Sequence, residues 1–468
     1  MLKGVNILYL FTIILIILVI LLFLYKMNYL IIYMILLFFL IPIYSFPFHF
    51  PFNYLSSNIN KYKSKITEIN GFYGLIGPNI NISKTNSLYE LFTGDGIIQG
   101  IFIENGNITQ VNHIIQTEKI IYEKNKGKLS NHIMLLPLYI FFNKIGLLPN
   151  LMGVANTAFI KIKEKIFVLF ERDYPYQIFL DFHNKNIHTL KKCKIDSIHH
   201  FSAHSRLHNN SIFSLEYNIF NKIVSLFHFN KDLILLHKLD IKTKYIPIIH
   251  DSYILSNSTI FTDSPLYFSL KCLINNKIPV IFNNKKPTYI HQVYNNLHKV
   301  YSSNDSFYIF HYANISEYND YIEIYAPIYD FLDFSKLNIS GKYRRLVLHK
   351  KNDTIEIEKN TELEKYNLDF PIQWNNYIIL RNIENNRING FIICDGINIK
   401  KKIFINELSI CGEPKIYQCA SFSRIMCLAY NNNKNYFILI NPENGEIFKF
   451  PLHENLIIGF HSIFTNKN

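Results

Sequence analysis

The sequence of 468 residues predicts an all-β body, most simply a β-propeller, behind an N-terminal membrane anchor. Three observations lead to this prediction. A long apolar run opens the chain, strand-length runs rich in Ile, Phe and Tyr recur from about Ser56 onward, and helical periodicity is scarce over the same stretch. We therefore place the anchor and its juxtamembrane segment at residues 1–55 and the β-rich body at residues 56–468.

The anchor prediction rests on residues 7–25, in which Thr12 is the one polar member. At about 1.5 Å per helical residue, such a run is long enough to cross a bilayer core of about 30 Å. After a polar break at residues 26–28, a second apolar run covers residues 29–43. The aromatic and proline-rich segment 44–52 follows, and this composition is typical of a membrane interface where helices stop.

A cleaved signal peptide is the competing interpretation of this N-terminal run. Its apolar region would be shorter, about 7–15 residues, and a small-residue cleavage site would follow it. Neither feature is present, so we expect an uncleaved anchor and a membrane location. One span and two spans both fit the pattern. Lys3 and Lys26 flank the first run on both sides, so charge leaves its orientation open.

The charge and cysteine content exclude some classes of protein. The chain has 48 Lys and Arg against 35 Asp and Glu, a formal charge of +13. The lysines are scattered, which indicates a solvated surface with a weak attraction to anionic lipid, and no nucleic-acid-binding motif accompanies them. Six cysteines without any C-x-x-C pair predict free thiols rather than a disulfide framework.

The body shows short apolar runs separated by turn residues. Asn105-Gly106 and the segment 443–445 are hairpin signals, because these residues accept the left-handed backbone of tight turns. The clearest strand-like runs are residues 100–106, 165–170, 377–380 and 436–440. So many short strands over some 400 residues favour a propeller over a single sandwich.

Four of the 18 histidines lie in distinctive settings. Each follows a strand-like run and precedes small or polar residues, as expected for side chains at strand tips that converge on one axis. They are His204 in Phe-Ser-Ala-His-Ser, His250 in Ile-Ile-His-Asp-Ser, His311 in Ile-Phe-His-Tyr-Ala-Asn and His461 in Ile-Gly-Phe-His-Ser-Ile-Phe.

These settings, and several segments outside them, resemble the carotenoid cleavage oxygenases, a family that includes the retinoid isomerase and stilbene-cleaving enzymes. Gly77-Pro78-Asn79, the glycine segment 92–96, the segments 156–158 and 167–175, and Gly412-Glu413-Pro414 are similar to segments of that family. The matches follow family order from about Gly71 to Phe464, which is nearly all of the chain beyond the anchor.

The resemblance implies a seven-bladed β-propeller with a loop and helix cap and an apolar tunnel that leads to iron. It implies Fe(2+) held by His204, His250, His311 and His461, with the carboxylates of Glu171, Asp369 and Glu413 behind the ligands. The family usually has glutamate where this chain has Asp369. The shorter side chain would reach its histidine through a water or a backbone shift, or the hydrogen bond would be lost.

The resemblance further implies a dioxygenase that cleaves a conjugated carbon–carbon double bond of a carotenoid or apocarotenoid. Its partners would be dioxygen, an apolar polyene and a lipid membrane, but no nucleic acid. Retinoid isomerohydrolase and stilbene-cleaving activities on the same scaffold are the enzymatic alternatives. From a different class, the alternative is a membrane-tethered propeller that has lost catalysis. A zinc hydrolase is disfavoured because the chain has no H-E-x-x-H motif.

Overall fold

The computed structural model describes residues 66–467, apart from residues 67, 81–84, 86, 128–134, 257, 275–276, 295–296 and 433. The predicted anchor, residues 1–55, lies outside the described residues. No helix in the described part of the chain is both long and apolar enough to cross a bilayer.

The described chain is dominated by antiparallel strands, which confirms the all-β prediction. In its first half the strands are β1 (Gly71–Pro78), β2 (Gly96–Glu104), β3 (Asn107–Ile114), β4 (Ala158–Ile162), β5 (Lys165–Leu169), β6 (Tyr176–Asp181), β7 (Asn186–Lys192), β8 (Arg206–His208), β9 (Ser211–Asn218), β10 (Ile223–Asn230), β11 (Leu235–Lys242), β12 (Tyr253–Ile254), β13 (Ser258–Asp263), β14 (Leu266–Phe268), β15 (Val280–Phe282), β16 (Tyr289–Tyr294) and β17 (His298–Ser303).

The second half continues the same pattern. Its strands are β18 (Tyr308–Ile309), β19 (Asn314–Glu317), β20 (Tyr321–Tyr329), β21 (Lys342–His349), β22 (Thr354–Glu358), β23 (Leu368–Trp374), β24 (Tyr377–Glu384), β25 (Arg387–Asp395), β26 (Asn398–Phe404), β27 (Ser409–Ile410), β28 (Lys415–Gln418), β29 (Ser423–Tyr430), β30 (Asn435–Ile440), β31 (Ile447–Leu452) and β32 (Ser462–Asn466).

Helices are short and few among the described residues. They are α1 (Leu88–Thr93), α2 (Glu118–Lys126), α3 (Leu136–Lys144), α4 (Leu270–Ile274) and one 3₁₀ turn (Leu363–Lys365). Ser87 and Thr117 cap α1 and α2 by accepting hydrogen bonds from backbone N–H groups of the first turn.

Apart from the separate β14–β15 pair, the strands fall into seven antiparallel groups, which we number as blades in chain order. Blade 1 is β1–β3 with β32, blade 2 is β4–β7, blade 3 is β8–β11, blade 4 is β12, β13, β16 and β17, blade 5 is β18–β22, blade 6 is β23–β26 and blade 7 is β27–β31. A short parallel pairing of β17 with β22 joins blades 4 and 5. Seven such groups are what the predicted seven-bladed propeller requires.

The ring of blades is closed by the two ends of the described chain. The last strand, β32, pairs with the first, β1, with Leu75 opposite Ser462 and Gly71 opposite Asn466. This pairing brings His461, the residue before β32, into the same sheet as the start of the body. A propeller closed in this way has no free sheet edge between its first and last blades.

The predicted hairpin turns lie where the sequence places them. Asn105 and Gly106 form a two-residue turn between β2 and β3, with φ of 49° and 76°. Gly445 has φ of 81° in the loop between β30 and β31. The left-handed backbone that asparagine and glycine tolerate is what allows such turns to match the twist of the strands.

Each blade packs against the next through apolar side chains on both faces. The fully buried rings include Tyr73, Phe102, Phe227 and Phe391, each 2% exposed or less. The strands carry β-branched and aromatic residues that fit such a two-sided core, which explains why they read as near-continuous apolar runs. This packing leaves the loops at one end of the blades to carry the chemistry.

Candidate metal centre

Four histidines meet at one point, and each comes from a different blade. His204 precedes β8 of blade 3, His250 precedes β12 of blade 4, His311 lies between β18 and β19 of blade 5, and His461 directly precedes β32 of blade 1. One ring nitrogen from each of the four lies within 4.8 Å of the corresponding nitrogen of the other three. The structure thus brings together all four histidines that the sequence analysis singled out.

The contacts within the cluster are made by the Nε2 atoms. The Nε2 atoms of His204 and His250 are 2.9 Å apart, and those of His311 and His461 are 3.3 Å apart. His311 and His461 are buried, whereas the other two are half-buried. One side of the cluster is therefore more accessible than the other.

The three remaining blades contribute one carboxylate each. Glu171 lies between β5 and β6 of blade 2, Asp369 is in β23 of blade 6, and Glu413 lies between β27 and β28 of blade 7. With the four histidines they make seven residues from seven blades. The predicted carboxylates are thus assembled around the histidines by the ring of blades itself.

Each carboxylate accepts a hydrogen bond from the Nδ1 atom of one histidine. The pairs are His250 with Glu171 at 2.6 Å, His311 with Asp369 at 2.8 Å and His461 with Glu413 at 3.1 Å. A carboxylate in this position orients the imidazole and selects the tautomer whose Nε2 carries a lone pair. Among the described residues, His204 has no carboxylate partner of this kind.

Asp369 settles the alternatives that the sequence left open for the shorter side chain. Its Oδ1 reaches Nδ1 of His311 directly, at 2.8 Å. The register between β23 and β24 shifts between Asp369 and Ile372, and Phe370 has a φ of 54°. This local backbone shift, rather than a bridging atom, brings the aspartate within reach of the histidine.

The electrostatics keep the carboxylates ionised. Burial disfavours the charge of Asp369, but the adjacent His311, the Tyr329 hydroxyl and Arg381 outweigh it and lower the aspartate pKa to about 2. Burial likewise opposes charge on Glu171 and Glu413, and the charges and hydrogen bonds of His250 and His461 hold both pKa values below the usual range.

His204 is kept neutral by a different balance of forces. Burial, followed by the neighbouring His250, His461 and His311, holds its pKa well below the usual range. In the opposite direction, Glu171 raises the pKa of His250 despite burial. A neutral imidazole is the form that ligates a metal.

This arrangement fits a metal cation. Nδ1 of both His311 and His461 faces a carboxylate and so carries the proton, which leaves two Nε2 lone pairs facing each other at 3.3 Å. Facing lone pairs repel unless a cation lies between them. Two imidazole nitrogens bound at about 2.1 Å and at right angles on one ion would lie about 3 Å apart, close to the separations found here.

An ion pair with one buried end links the loops that carry three of the histidines. Arg206 donates to both carboxylate oxygens of Asp251, at 2.9 and 2.8 Å, and to the backbone carbonyl of Ser252 at 2.7 Å. The same carboxylate accepts the backbone N–H of Tyr312 at 3.0 Å. Asp251 follows His250 in sequence, Tyr312 follows His311, and Arg206 comes two residues after His204, so this network fixes their relative positions.

Sequence analysis missed Arg206, Asp251, Tyr329 and Arg381 as members of the site. Asp251 had a signal, because it stands next to a candidate ligand in Ile-Ile-His-Asp-Ser. The other three had none, since their partners lie 40 or more positions away or across a strand pair.

Comparison with known proteins is consistent with this centre. A family model described as RPE65, retinal pigment epithelial membrane protein, matches residues 67–382, which is more than half of the chain. Carotenoid 9,10(9',10')-cleavage dioxygenase 1 of Pisum sativum is 28% identical over 225 residues, covering 45% of this chain and 41% of that protein. The 9-cis-epoxycarotenoid dioxygenase NCED6 of Arabidopsis thaliana is 26% identical over 217 residues, covering 42% and 37%. The chain thus spans about two fifths of the length of the curated relatives it matches.

Solved structures share the fold over a larger part of the chain. Lignostilbene dioxygenase of Pseudomonas brassicacearum superposes with a TM-score of 0.72 at 14% identity, covering 87% of this chain and 95% of that one. Cobalt-substituted Synechocystis ACO, an apocarotenoid oxygenase, gives 0.70 at 16% identity, covering 87% and 95%. Together with the family match, the chain belongs to the RPE65 and carotenoid cleavage oxygenase family.

Proposed function

We propose that this protein is a non-haem iron(II) dioxygenase that cleaves a conjugated carbon–carbon double bond of a carotenoid or apocarotenoid, giving two carbonyl products. The observation that carries the proposal is the convergence of four histidines, three of them oriented by carboxylates, on one point. The relatives named as carotenoid dioxygenases support the substrate class.

Four histidines would hold the metal, and three carboxylates would orient three of these ligands. The histidines are His204, His250, His311 and His461, and the carboxylates are Glu171, Asp369 and Glu413. Imidazole suits iron among the first-row metals. Four neutral imidazoles leave two of six coordination positions free, and bound iron(II) would supply the activation of dioxygen. The chain's own side chains would orient the ligands and the polyene and exclude water.

An apolar cluster borders the histidines and supports an apolar substrate. Phe310, Phe370 and Phe460 each stand next to His311, Asp369 or His461 in sequence and belong to one buried cluster. The same cluster takes in Leu88 and Leu91 of α1, Leu266 of β14 and Phe282 of β15. Phe310 lies 5.6 Å from His250, ring centroid to ring centroid. Helix α1 and the β14–β15 pair thus share one apolar cluster with the phenylalanines beside the histidines, and such a lining suits a polyene.

We also propose a membrane location, because the substrate class barely dissolves in water. The apolar run at residues 7–25 supports an anchor that would hold the body beside its substrate reservoir. Two apolar side chains in the neighbouring segment are exposed and could contact lipid. They are Phe268 at the end of β14, 47% exposed, and Leu270 at the start of α4, 37% exposed. Partition of the full chain into the membrane pellet, resistant to alkaline carbonate, would support the anchor, and extraction by carbonate would contradict it.

The test of function combines metal content with oxygen uptake. The full chain in detergent, loaded with iron(II), would be offered apocarotenoids, retinyl esters and stilbenes. We expect about one iron per chain, oxygen consumption and aldehyde products with the apocarotenoids. Retinyl ester turnover without oxygen uptake would favour an isomerohydrolase. Stilbene cleavage would favour the activity of the lignostilbene dioxygenase. A chain that binds no metal would be a tethered propeller without catalysis.

A further inference from the structure

The aspartate that replaces the expected glutamate sits in an irregular stretch of β23. The pairing of β23 with β24 skips between Asp369 and Ile372, and Phe370 adopts a left-handed backbone with φ of 54°. A non-glycine residue in this region costs energy and persists only when its surroundings hold it. Something must therefore hold the backbone at this point.

Both carboxylate oxygens of Asp369 accept hydrogen bonds, and the donor to Oδ2 is a tyrosine hydroxyl. Oδ1 accepts from Nδ1 of His311 at 2.8 Å and from the backbone N–H of Phe370 at 2.7 Å. Oδ2 accepts from the hydroxyl of Tyr329, in β20 of the preceding blade, at 2.5 Å. Asp369 is 4% exposed and Tyr329 is 2% exposed, so water does not compete for these contacts.

A cation lies near the aspartate. Arg381 of β24 stands directly opposite Asp369 in the strand register, and its charge lowers the aspartate pKa. Its guanidinium carbon lies 3.6 Å from the centroid of the Phe370 ring, and the same ring lies 4.5 Å from His311 and 4.9 Å from His461. The Nε atom of Arg381 is buried and has no hydrogen-bond partner among the described residues. This arginine is therefore available to draw the carboxylate away from His311.

The carboxylates behind the histidines give the surroundings of the centre a negative charge, which favours a cation. Glu171, Asp369 and Glu413 carry three negative charges, and Arg381 near Asp369 and Lys415 near Glu413 offset part of this charge. A buried site of this kind avoids an uncompensated charge when a +2 ion completes it. Arg381 is thus part of the electrostatic balance, but its pull on Asp369 must be opposed.

We propose that Tyr329 is a positioning residue for the metal of the proposed oxygenase: its hydroxyl holds Asp369 against His311 and away from Arg381. The inference rests on the proposed function, because it concerns the orientation of one proposed ligand. With Tyr329 in place, the shorter aspartate orients His311 as a glutamate would. Without it, Oδ2 has no donor on the His311 side and the carboxylate turns towards the guanidinium.

The test measures metal affinity in matched variants of the full chain. Tyr329→Phe removes the hydroxyl, and Tyr343→Phe is the control. Tyr343 is also fully buried, in the neighbouring strand β21, and its hydroxyl has no hydrogen-bond partner among the described residues. Cobalt(II), which reports its ligands through its visible absorption, would be titrated in competition with a chelator. We expect affinity to fall about tenfold or more in Tyr329→Phe and to stay within about twofold of the parent in the control, since residues behind the ligands contribute 10- to 100-fold to metal affinity.

A second measurement separates positioning from a loss of general stability. Asp369→Asn removes the negative charge, and in that background Tyr329→Phe should cost little further affinity, because the two residues act through one contact. Fully additive losses, or equal affinity of Tyr329→Phe and the parent, would overturn the positioning role. If the parent chain itself bound no cobalt(II), the proposed function would fail as well. Melting temperatures of the metal-free variants would show whether both tyrosine substitutions perturb folding equally.

Discussion

Arg206 and Asp251 form a two-point ion pair between the loops of His204 and His250, with N–O distances of 2.9 and 2.8 Å. The side chain of Asp251 is 1% exposed, whereas that of Arg206 is 33% exposed. The buried end of the pair also accepts the backbone N–H that follows His311. Asp251, which is not a candidate metal ligand, therefore connects the loops of three of the four histidines.

Asp251→Asn should destabilise the body and weaken metal binding together. The substitution removes the charge opposite Arg206, which is 33% exposed and keeps its bond to the Ser252 carbonyl, and it weakens charge-assisted hydrogen bonds worth about 2 kcal/mol in unfolding free energy. Urea unfolding of the metal-free chain would measure this cost. Asp232→Asn is the control, because the Lys163–Asp232 pair is 51% and 63% exposed and solvent screens the attraction between its charges. Equal losses in the two variants would contradict the linking role of Asp251.

His250→Ala should abolish stoichiometric iron loading while leaving a folded, β-rich body. The substitution removes one of four converging nitrogens and leaves Glu171 without its histidine. Metal analysis after iron(II) loading and gel filtration would measure the effect, and circular dichroism would check the fold. The exposed His183 offers the control substitution, His183→Ala. Full iron occupancy in His250→Ala would remove this histidine from the ligand set.

Glu413→Gln should lower metal affinity by roughly 10- to 100-fold with little change in shape. The carboxylate accepts from Nδ1 of His461 through Oε1 and from the backbone N–H of Ser462 through Oε2 at 2.7 Å. An amide can accept only one of these bonds and presents its NH₂ to the other donor. Chelator competition would measure the loss, with Glu407→Gln on the surface as control. Unchanged affinity would show that His461 needs no anionic partner.

Removal of the closing strand should destroy cooperative folding. A chain that ends at residue 459 lacks His461 and β32, so β1 keeps β2 but loses its second antiparallel partner and presents an unpaired edge. We expect loss of the cooperative thermal transition and aggregation on concentration. A chain that ends at residue 466 keeps β32 and loses the exposed Lys467, with its contact to Glu104 and its backbone N–H bond to the Asn70 carbonyl, so it should melt close to the parent. A normal transition in the shorter chain would show that the ring does not depend on this closure.

Acid should destabilise the body partly through His113 of β3, which is not one of the candidate metal ligands. Burial, followed by the charge of His188, lowers the pKa of His113 to about 4. In the unfolded chain a histidine has a pKa of about 6.5. Between about pH 6.5 and about pH 4, the folded chain therefore binds fewer protons at this position than the unfolded chain does. Its contribution to stability is therefore complete above pH 6.5 and is lost as pH falls to 4.

Urea midpoints at several pH values would test this. His113→Gln should show a shallower loss of stability between pH 6.5 and 4 than the parent, although it loses the contact of Nε2 with Thr189 at 2.8 Å. His183→Gln, at an exposed position, should keep the parental slope. Identical slopes in all three proteins would show that His113 does not titrate in this window.

Much of the fold could be predicted because its signals are local. Hairpin turns need residues that accept a left-handed backbone, and Asn105-Gly106 supplied one such signal. Strand-length apolar runs became β5, β24 and β30. Short helices were harder to see, because a helix of six to nine residues such as α1 or α2 shows little periodicity before tertiary packing stabilises it.

The sequence by itself determined the residue types of the centre and the order in which the blades deliver them. Each histidine or carboxylate stands beside a strand of its own blade, so its place follows from the local pattern and the family order. Which carboxylate meets which histidine was decided only by the tertiary structure. His311 finds Asp369 58 positions away, and His461 finds Glu413 48 positions away. Closure of the ring alone brings His461 back to the first blade. The same holds for Tyr329, Arg381 and the left-handed Phe370. Their contacts join different strands, so no local periodicity in the sequence encodes them.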